Sequence, residues 1–305
     1  MHRWACEKCK GETRGRHVQH CTSGCRISAG WIPSALPSRY NAHMTLTATS
    51  QNLAALCEPS AQNIAIRIVA ETGSTNADLL AEAAQLAGPT LLWAESQTAG
   101  KGRAGRSWQS TAGSTLTFSL AWKFALPVQA LAGLSLAVGV VVAETLASFG
   151  VTACLKWPND VLKDGDKLAG ILIETAVDKS DRSAIWTIIG IGINLSHAQQ
   201  LSEQLGRSVA DAPELVAQRV PLMAALLNRF SVALPEFEEN GFKAFAAAWN
   251  TLDAYAGCSV NILDQGKILH SGTAAGVDDA GRLLLDIADG RIAIVAGDVS
   301  LRITE

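Results

Sequence analysis

Apolar positions along the chain change their period several times, and each change marks an element. "NIAIRIVA" (63–70) is rich in β-branched residues and reads as a strand. In "GSTNADLLAEAAQLAG" (73–88), Leu79, Leu80, Ala83 and Leu86 fall on one helical face. Ser74 or Thr75 can cap that helix, and Gly88-Pro89 ends it. "TLLWAE" (90–95) is a short strand, and "STLTFSLAW" (114–122) alternates as strands do. A long apolar stretch over 127–149 predicts a buried helix ending at Gly150. Glu144 and the glycines within it argue against a membrane span.

Next come a strand at "TACLKW" (152–157), a turn at "PNDVLKDGD" (158–166) and strands at "KLAGILIETAV" (167–177) and "AIWTIIGIGINL" (184–195). Helices are expected over 213–236 and 241–250. Beyond Tyr255 the pattern shifts to short strands, "CSVNIL", "KILHSGTAAGV", "RLLLDIA" and "RIAIVAGDVSLRI". Tight turns separate them at Asp264-Gln265-Gly266, Asp279-Ala280-Gly281 and Asp289-Gly290. The expected organisation is an N-terminal extension over 1–62, an α+β catalytic domain over 63–253 and a small β-barrel over 256–305.

Composition narrows this picture. The 305 residues are 48% hydrophobic and 17% charged with a net charge of −3, a globular balance that gives no general attraction to nucleic acid or anionic lipid. Charge is uneven: residues 1–43 hold seven Lys/Arg against two Glu, so the remainder is acidic. The same segment holds Cys6, Cys9, Cys21 and Cys25, together with His2, His17, His20 and His43. Two readings stand for it ahead of a targeting peptide, since it lacks the apolar core of a secretory signal. It is a translated leader or disordered tail ahead of a second start at Met44, or a zinc knuckle whose spacing matches no common pattern. Cys57, Cys154 and Cys258 are far apart and suggest no disulfide framework, so a reducing, cytoplasmic setting is expected.

The densest chemistry lies in "AESQTAGKGRAGRSWQS" (94–110). Gly100, Gly102 and Gly105 match G-x-G-x-x-G, the spacing of a dinucleotide-binding turn. That reading fails, because the following segment is strand-like and no Asp or Glu occurs between Glu95 and Glu144 to hold a ribose. What remains is a glycine-rich loop with Lys101, Arg103 and Arg106 and no local anion. Such a loop suits closure over a phosphorylated or adenylated ligand, since arginine forks match phosphate and carboxylate oxygens. In "KWPND" (156–160), proline fixes a bend from which Asn159 and Asp160 project. Lys167 starts the next strand, with Ala169-Gly170 leaving room beside it. "GSTN" (73–76) is either a simple cap or a ligand-facing helix start, and "GIGIN" (190–194) closes a strand with small residues and Asn194.

Taken in order, "STN" (74–76), "QTAGKGRAGRSW" (97–108), "KWPND" (156–160), "KLAGIL" (167–172), "GIGIN" (190–194) and "GDVSLR" (297–302) resemble the biotin protein ligases. The resemblance implies a class II synthetase-like mixed β-sheet with flanking helices, followed by an SH3-like β-barrel. It implies attachment of biotin to a carrier lysine through biotinyl-5′-AMP, with ATP and Mg²⁺ consumed or required and no tightly bound cofactor. By the same resemblance Ser74, Thr75, Asn76 and Gln97 hold biotin, and Gly100, Lys101, Gly102 and Arg103 form a lid over it. Lys167 stabilises the adenylation transition state together with Arg103. Arg106, Asn159, Asp160, Asn194 and Arg302 meet the nucleotide, and Asp160 meets Mg²⁺. Trp108 is expected to anchor the lid's end by packing. Position 101 is Lys where many relatives have Arg, which keeps charge but loses the fork. The expected partners are a biotin carboxyl carrier domain and, as an option, a second copy of the chain; no specific DNA or membrane is expected. The nearest alternative is a lipoate–protein ligase-like acyl-adenylate transferase.

Overall fold

The computed structural model describes residues 48–177, 184–264, 266–297 and 299–304. The segment 1–43, with its leader or zinc reading, lies outside them. A seven-stranded sheet forms the centre, in the order β1-β2-β3-β7-β6-β5-β4. Its strands are β1 (Ala65–Thr72), β2 (Thr90–Gln97), β3 (Thr115–Phe124), β4 (Cys154–Lys156), β5 (Asp160–Lys163), β6 (Asp166–Val177) and β7 (Ile185–Asn194). The β1–β2 pair is parallel and its other ladders are antiparallel, so the sheet is mixed.

Burial explains the sequence patterns. β7 lies between β3 and β6 and all ten of its residues are buried, which is why "IWTIIGIGIN" is continuous rather than alternating. One face of the sheet is covered by α3 (Leu134–Ser148), α5 (Arg219–Asn240) and α6 (Lys243–Leu252), which share one core with Leu91, Phe118, Leu155 and Ile189. The other face carries α2 (Thr75–Glu82), whose Leu79 packs with Leu92, Trp186 and Ile188 in a smaller cluster. The stretch Val128–Ser148 is long and apolar enough to cross a membrane, but 67% of it is buried within the protein.

The structure departs from the sequence pattern in several places. The expected helix from 127 begins as a 3₁₀ turn and becomes α-helical only at Leu134, after Gly133 adopts φ 82°. The next expected helix likewise opens as a 3₁₀ turn over Pro213–Gln218 before α5. Part of the "PNDVLKDGD" turn is the strand β5, in a hairpin with β4 closed by a cis Trp157-Pro158 bond. Two helices lacked a clear signal, α1 (Ser50–Ala54) and α4 (Ala198–Leu205); α4 is short, polar and has no buried residue. Residues 48–62 pack onto the catalytic unit, with Leu53 and Ala61 fully buried.

A five-stranded antiparallel sheet follows, in the order β11-β10-β9-β8-β12. It comprises β8 (Ser259–Asp264), β9 (Lys267–Val277), β10 (Leu283–Ile287), β11 (Gly290–Ile294) and β12 (Val299–Ile303), so the last expected strand is split in two. Its Val260, Ile262, Leu285 and Leu301 join the main core. The Trp157 indole N–H donates to the Gly281 carbonyl (3.2 Å), tying the two sheets together.

Asp253 lies at this junction. Its Oδ1 accepts from the Tyr255 N–H (2.9 Å), while the buried Oδ2 has no partner. Burial pushes its carboxyl up to about 6, against a smaller opposing effect of the Tyr255 bond. A raised folded-state value means stability is fully present below the unfolded value near 4 and is lost as pH rises through 6. The two-unit difference corresponds to about 2–3 kcal/mol. Asp253→Asn removes the ionisation. Thermal melts should show the variant more stable than wild type above pH 6, with the gap closing towards pH 4; parallel curves would contradict this.

Candidate active site

The sequence motifs converge on one cleft of about 950 Å³, counting its open mouth. Its polar end is built at the start of α2. Ser74 caps that helix by accepting from the Ala77 N–H (3.4 Å). The Gln97 Oε1, at the end of β2, accepts from the Thr75 N–H (2.7 Å) and lies 3.0 Å from the Thr75 hydroxyl. Gly190 makes room for Asn76, because a Cβ there would run into the Asn76 amide.

The glycine-rich loop is a hairpin. Lys101 and Ser107 form an antiparallel bridge, Gly102 N–H donates to the Arg106 carbonyl (2.6 Å) and Trp108 N–H donates to the Gly100 carbonyl (2.9 Å). Its tip turns through two successive left-handed residues, Ala104 (φ 53°) and Gly105 (φ 70°), the backbone of a tight turn. At its foot the Trp108 ring lies on the sheet. A Cβ at Gly192 would run into the indole, and one at Gly170 would stand 3.4 Å from it. The small residues of "GIGIN" and "LAGIL" are thus the seat of the lid's anchor.

Arg103 fastens the hairpin in place. Its Nη1 donates to Asn159 Oδ1 (2.9 Å) and its Nη2 donates to the Gly297 carbonyl on the approach to β12. Asn159 is itself held to β6, with Nδ2 donating to the Ile171 carbonyl (2.9 Å) and its own carbonyl accepting from Ile171 N–H (3.0 Å). One guanidinium therefore joins the lid, the "KWPND" bend and the C-terminal sheet.

Among the described residues, charge in the cleft is one-sided. Lys101, Arg103, Arg106 and Lys167 line it as the sequence suggests, and Arg302 reaches it from β12. Two further cations were not expected, Lys156 and Arg207. The one carboxylate among the described lining residues is Asp160, ion-paired with Lys167 at 2.5 Å. The Lys167 ammonium also stands 5.9 Å from the Trp108 ring. Lys156 sits 5.4 Å from the Tyr255 ring. Burial pushes its ammonium down to about 8; Asp160 opposes the shift, while Arg302, Lys167 and Arg207 add to it.

Two expected residues do not face the cleft directly. Gly100 lies behind the lid strand, close to Gln97 and Trp108. Asn194 is buried at the end of β7, where its Nδ2 donates to the Lys167 carbonyl (3.3 Å) and the Ala210 carbonyl (3.1 Å) and its Oδ1 has no partner. It thereby positions the backbone of Lys167. Lys156 was legible as the first residue of "KWPND", a cation inside an apolar strand; Arg207, in the loop after α4, left no signal.

A hydrogen-bonding end, a cation-lined middle and a glycine-rich hairpin tethered by Arg103 make a cleft suited to an anionic ligand with a polar, uncharged end. Comparison with known proteins gives the family. Residues 68–194 match the biotin/lipoate A/B protein ligase family, and residues 257–302 match the biotin protein ligase C-terminal domain. The biotin–[acetyl-CoA-carboxylase] ligase of Mycobacterium tuberculosis is 36% identical over 76% of this chain and 87% of its own length. The bifunctional ligase/repressor BirA of Escherichia coli is 34% identical over 76% of this chain and 72% of its own. The structure of the Aquifex aeolicus biotin protein ligase in complex with biotin and ATP matches with a TM-score of 0.66 at 30% identity, covering 79% of this chain and 99% of that one. The chain belongs to the biotin protein ligase family.

An anion entering this cleft favours the charged form of Lys156. At pH 8, where that group is about half protonated, binding of sulfate, which carries no titrating proton of its own, should take up protons. Calorimetry in buffers of different ionisation enthalpy measures the uptake, and Lys156→Met should abolish it. Equal uptake in both proteins would contradict the assignment.

Proposed function

We propose that this chain attaches biotin to a lysine of a biotin carboxyl carrier domain, using ATP. In the first step an oxygen of biotin's carboxylate attacks the α-phosphorus of ATP, and pyrophosphate leaves. In the second, the carrier lysine's ε-amine attacks the acyl carbon, and AMP leaves with the bonding electrons. The observation that carries this reading is the Arg103 latch, which closes a cationic hairpin over a cleft whose far end is neutral and hydrogen-bonding.

Each end of the cleft has its task. Ser74, Thr75 and Gln97 meet biotin's ureido ring; a buried ring polar group left without a partner costs about 1–3 kcal/mol. Lys101, Gly102 and Arg103 cover the acyl phosphate. Lys167 bridges the carboxylate and the phosphate as they join, and its pairing with Asp160 holds it there before substrate arrives. Arg106, Arg207 and Arg302 neutralise the nucleotide phosphates. Among the described residues no group of three His, Cys, Asp or Glu could cage a metal. A single paired carboxylate fits Mg²⁺ that enters on the nucleotide phosphates, with Asp160 as its protein ligand, better than a resident ion. The same reading places the enzyme in the cytoplasm, with the domain boundary in the turn between α6 and β8.

Incubation with radiolabelled biotin, ATP, Mg²⁺ and a carrier domain tests the function. Label on one carrier lysine is expected; incorporation of lipoate and not biotin would overturn the reading. Arg103→Gly should open the latch and leak the adenylate, seen as diffuse labelling of bystander lysines; carrier-only labelling at wild-type rate would contradict that role. Lys167→Ala should slow adenylation at least ~100-fold while biotin affinity changes less than ~10-fold, a split expected of a group acting in the transition state. Equal losses would remove that role.

A further inference from the structure

The buried hydrogen bonds behind the ureido pocket all run one way, and a residue outside the cleft sets their direction. Glu174 lies on β6, opposite Ile188 and facing α2. Its Oε2 accepts from the Asn76 Nδ2 (2.9 Å). The Leu172 carbonyl also receives that amide, at 3.4 Å. A carboxylate has no proton to offer, so the Asn76 NH₂ must point to β6 and its Oδ1 must point to β3. There Oδ1 accepts from the Ser119 hydroxyl at 2.5 Å. Ser119 is fully buried and has one proton, now committed to Asn76. The Ser119 and Thr75 oxygens are 2.6 Å apart, so the proton between them is Thr75's. The 3.0 Å approach to Gln97 Oε1 is the longer arm of that same proton.

Thr75 therefore turns its lone pairs, and no proton, towards the cleft. The Gln97 Oε1 is held by the Thr75 N–H, which leaves the Gln97 NH₂ end as a donor beside the lid. We infer that Glu174 is a positioning residue for ligand recognition: through Asn76 and Ser119 it makes Thr75 an acceptor that selects a ligand N–H. On this assignment Asn76 orients the pocket and does not itself hold the ligand. The chain N–H→Thr75→Ser119→Asn76→Glu174 ends on a carboxylate, and each link polarises the next. With Asn76 turned round, Ser119 would donate to Thr75 and consume one of those lone pairs.

This inference rests on biotin being the ligand, whose ureido group presents N–H beside C=O. The test compares wild type, Glu174→Gln and the double variant Asn76→Asp/Glu174→Gln, reading biotin Kd, the KM for ATP and the melting temperature. Glu174→Gln keeps shape but removes the anionic end; biotin Kd should rise about tenfold, the size of one charge-assisted hydrogen bond, with the KM for ATP within about twofold. In the double variant a carboxylate at position 76 accepts from both Ser119 and the amide introduced at 174, which returns the negative charge to the relay in the same direction, and Kd should return to within about threefold of wild type. A role in folding alone would shift the melting temperature and both substrates together, without rescue. Unchanged biotin affinity in Glu174→Gln, or a double variant no tighter than the single one, would overturn the relay alone. Failure of the wild-type protein to bind biotin would overturn the functional reading and the relay with it.

Discussion

Among the described residues, seven cationic side chains line the cleft and one carboxylate answers them. Like charges held this close repel, and burying them costs solvation, so an anion is drawn into the cleft. Burial chiefly, with Arg302, Lys167 and Arg207 adding to it, pushes the Lys156 ammonium down. The chemistry brings two anions together, a carboxylate and a triphosphate, and then holds a mixed anhydride that water would destroy. An excess of fixed positive charge under a lid meets both demands.

The scaffold exists to hold that charge in place. The cations come from the lid hairpin, β4, β6, the loop after α4 and β12, separated in sequence by up to two hundred residues. What unites them is a core that runs without a break from the central sheet into the C-terminal sheet. The C-terminal unit is thus part of the site: it supplies Arg302 and the Gly297 carbonyl that receives Arg103. The glycines of β6 and β7 do the complementary work, clearing space for Trp108, Lys167 and Asn76 against a flat sheet.

Much of this was legible in the sequence, for physical reasons. Long periodic segments and glycine- or proline-bounded turns gave β1, β2, β3, β6 and β7 within about two residues, because burial on one or both faces dictates their patterns, whereas α2 starts as expected but gives way to a 3₁₀ turn after Glu82. The absence of acid between Glu95 and Glu144 already separated the lid from a dinucleotide turn. The rest depended on tertiary contacts. α4 is two turns long and its apolar stripe is only Leu201 and Leu205, both partly buried, too little to read. β5 forms because it pairs with β4 and β6, although "PNDVLKDGD" has the composition of a turn. Arg207 looks like any surface arginine until the fold brings it to the cleft. Glu174 lies in a segment whose apolar residues dominate its pattern, and only the geometry of Asn76 and Ser119 gives it meaning.

The hairpin over residues 97–108 is expected to close on the acyl-adenylate with Arg103 as its fastener. A crystal structure of the protein with a non-hydrolysable biotinyl-adenylate analogue measures this directly. The hairpin should lie folded across the ligand, with the Arg103 guanidinium within hydrogen-bond distance of Asn159 and the acyl phosphate. A hairpin turned out to solvent, away from the bound analogue, would contradict it.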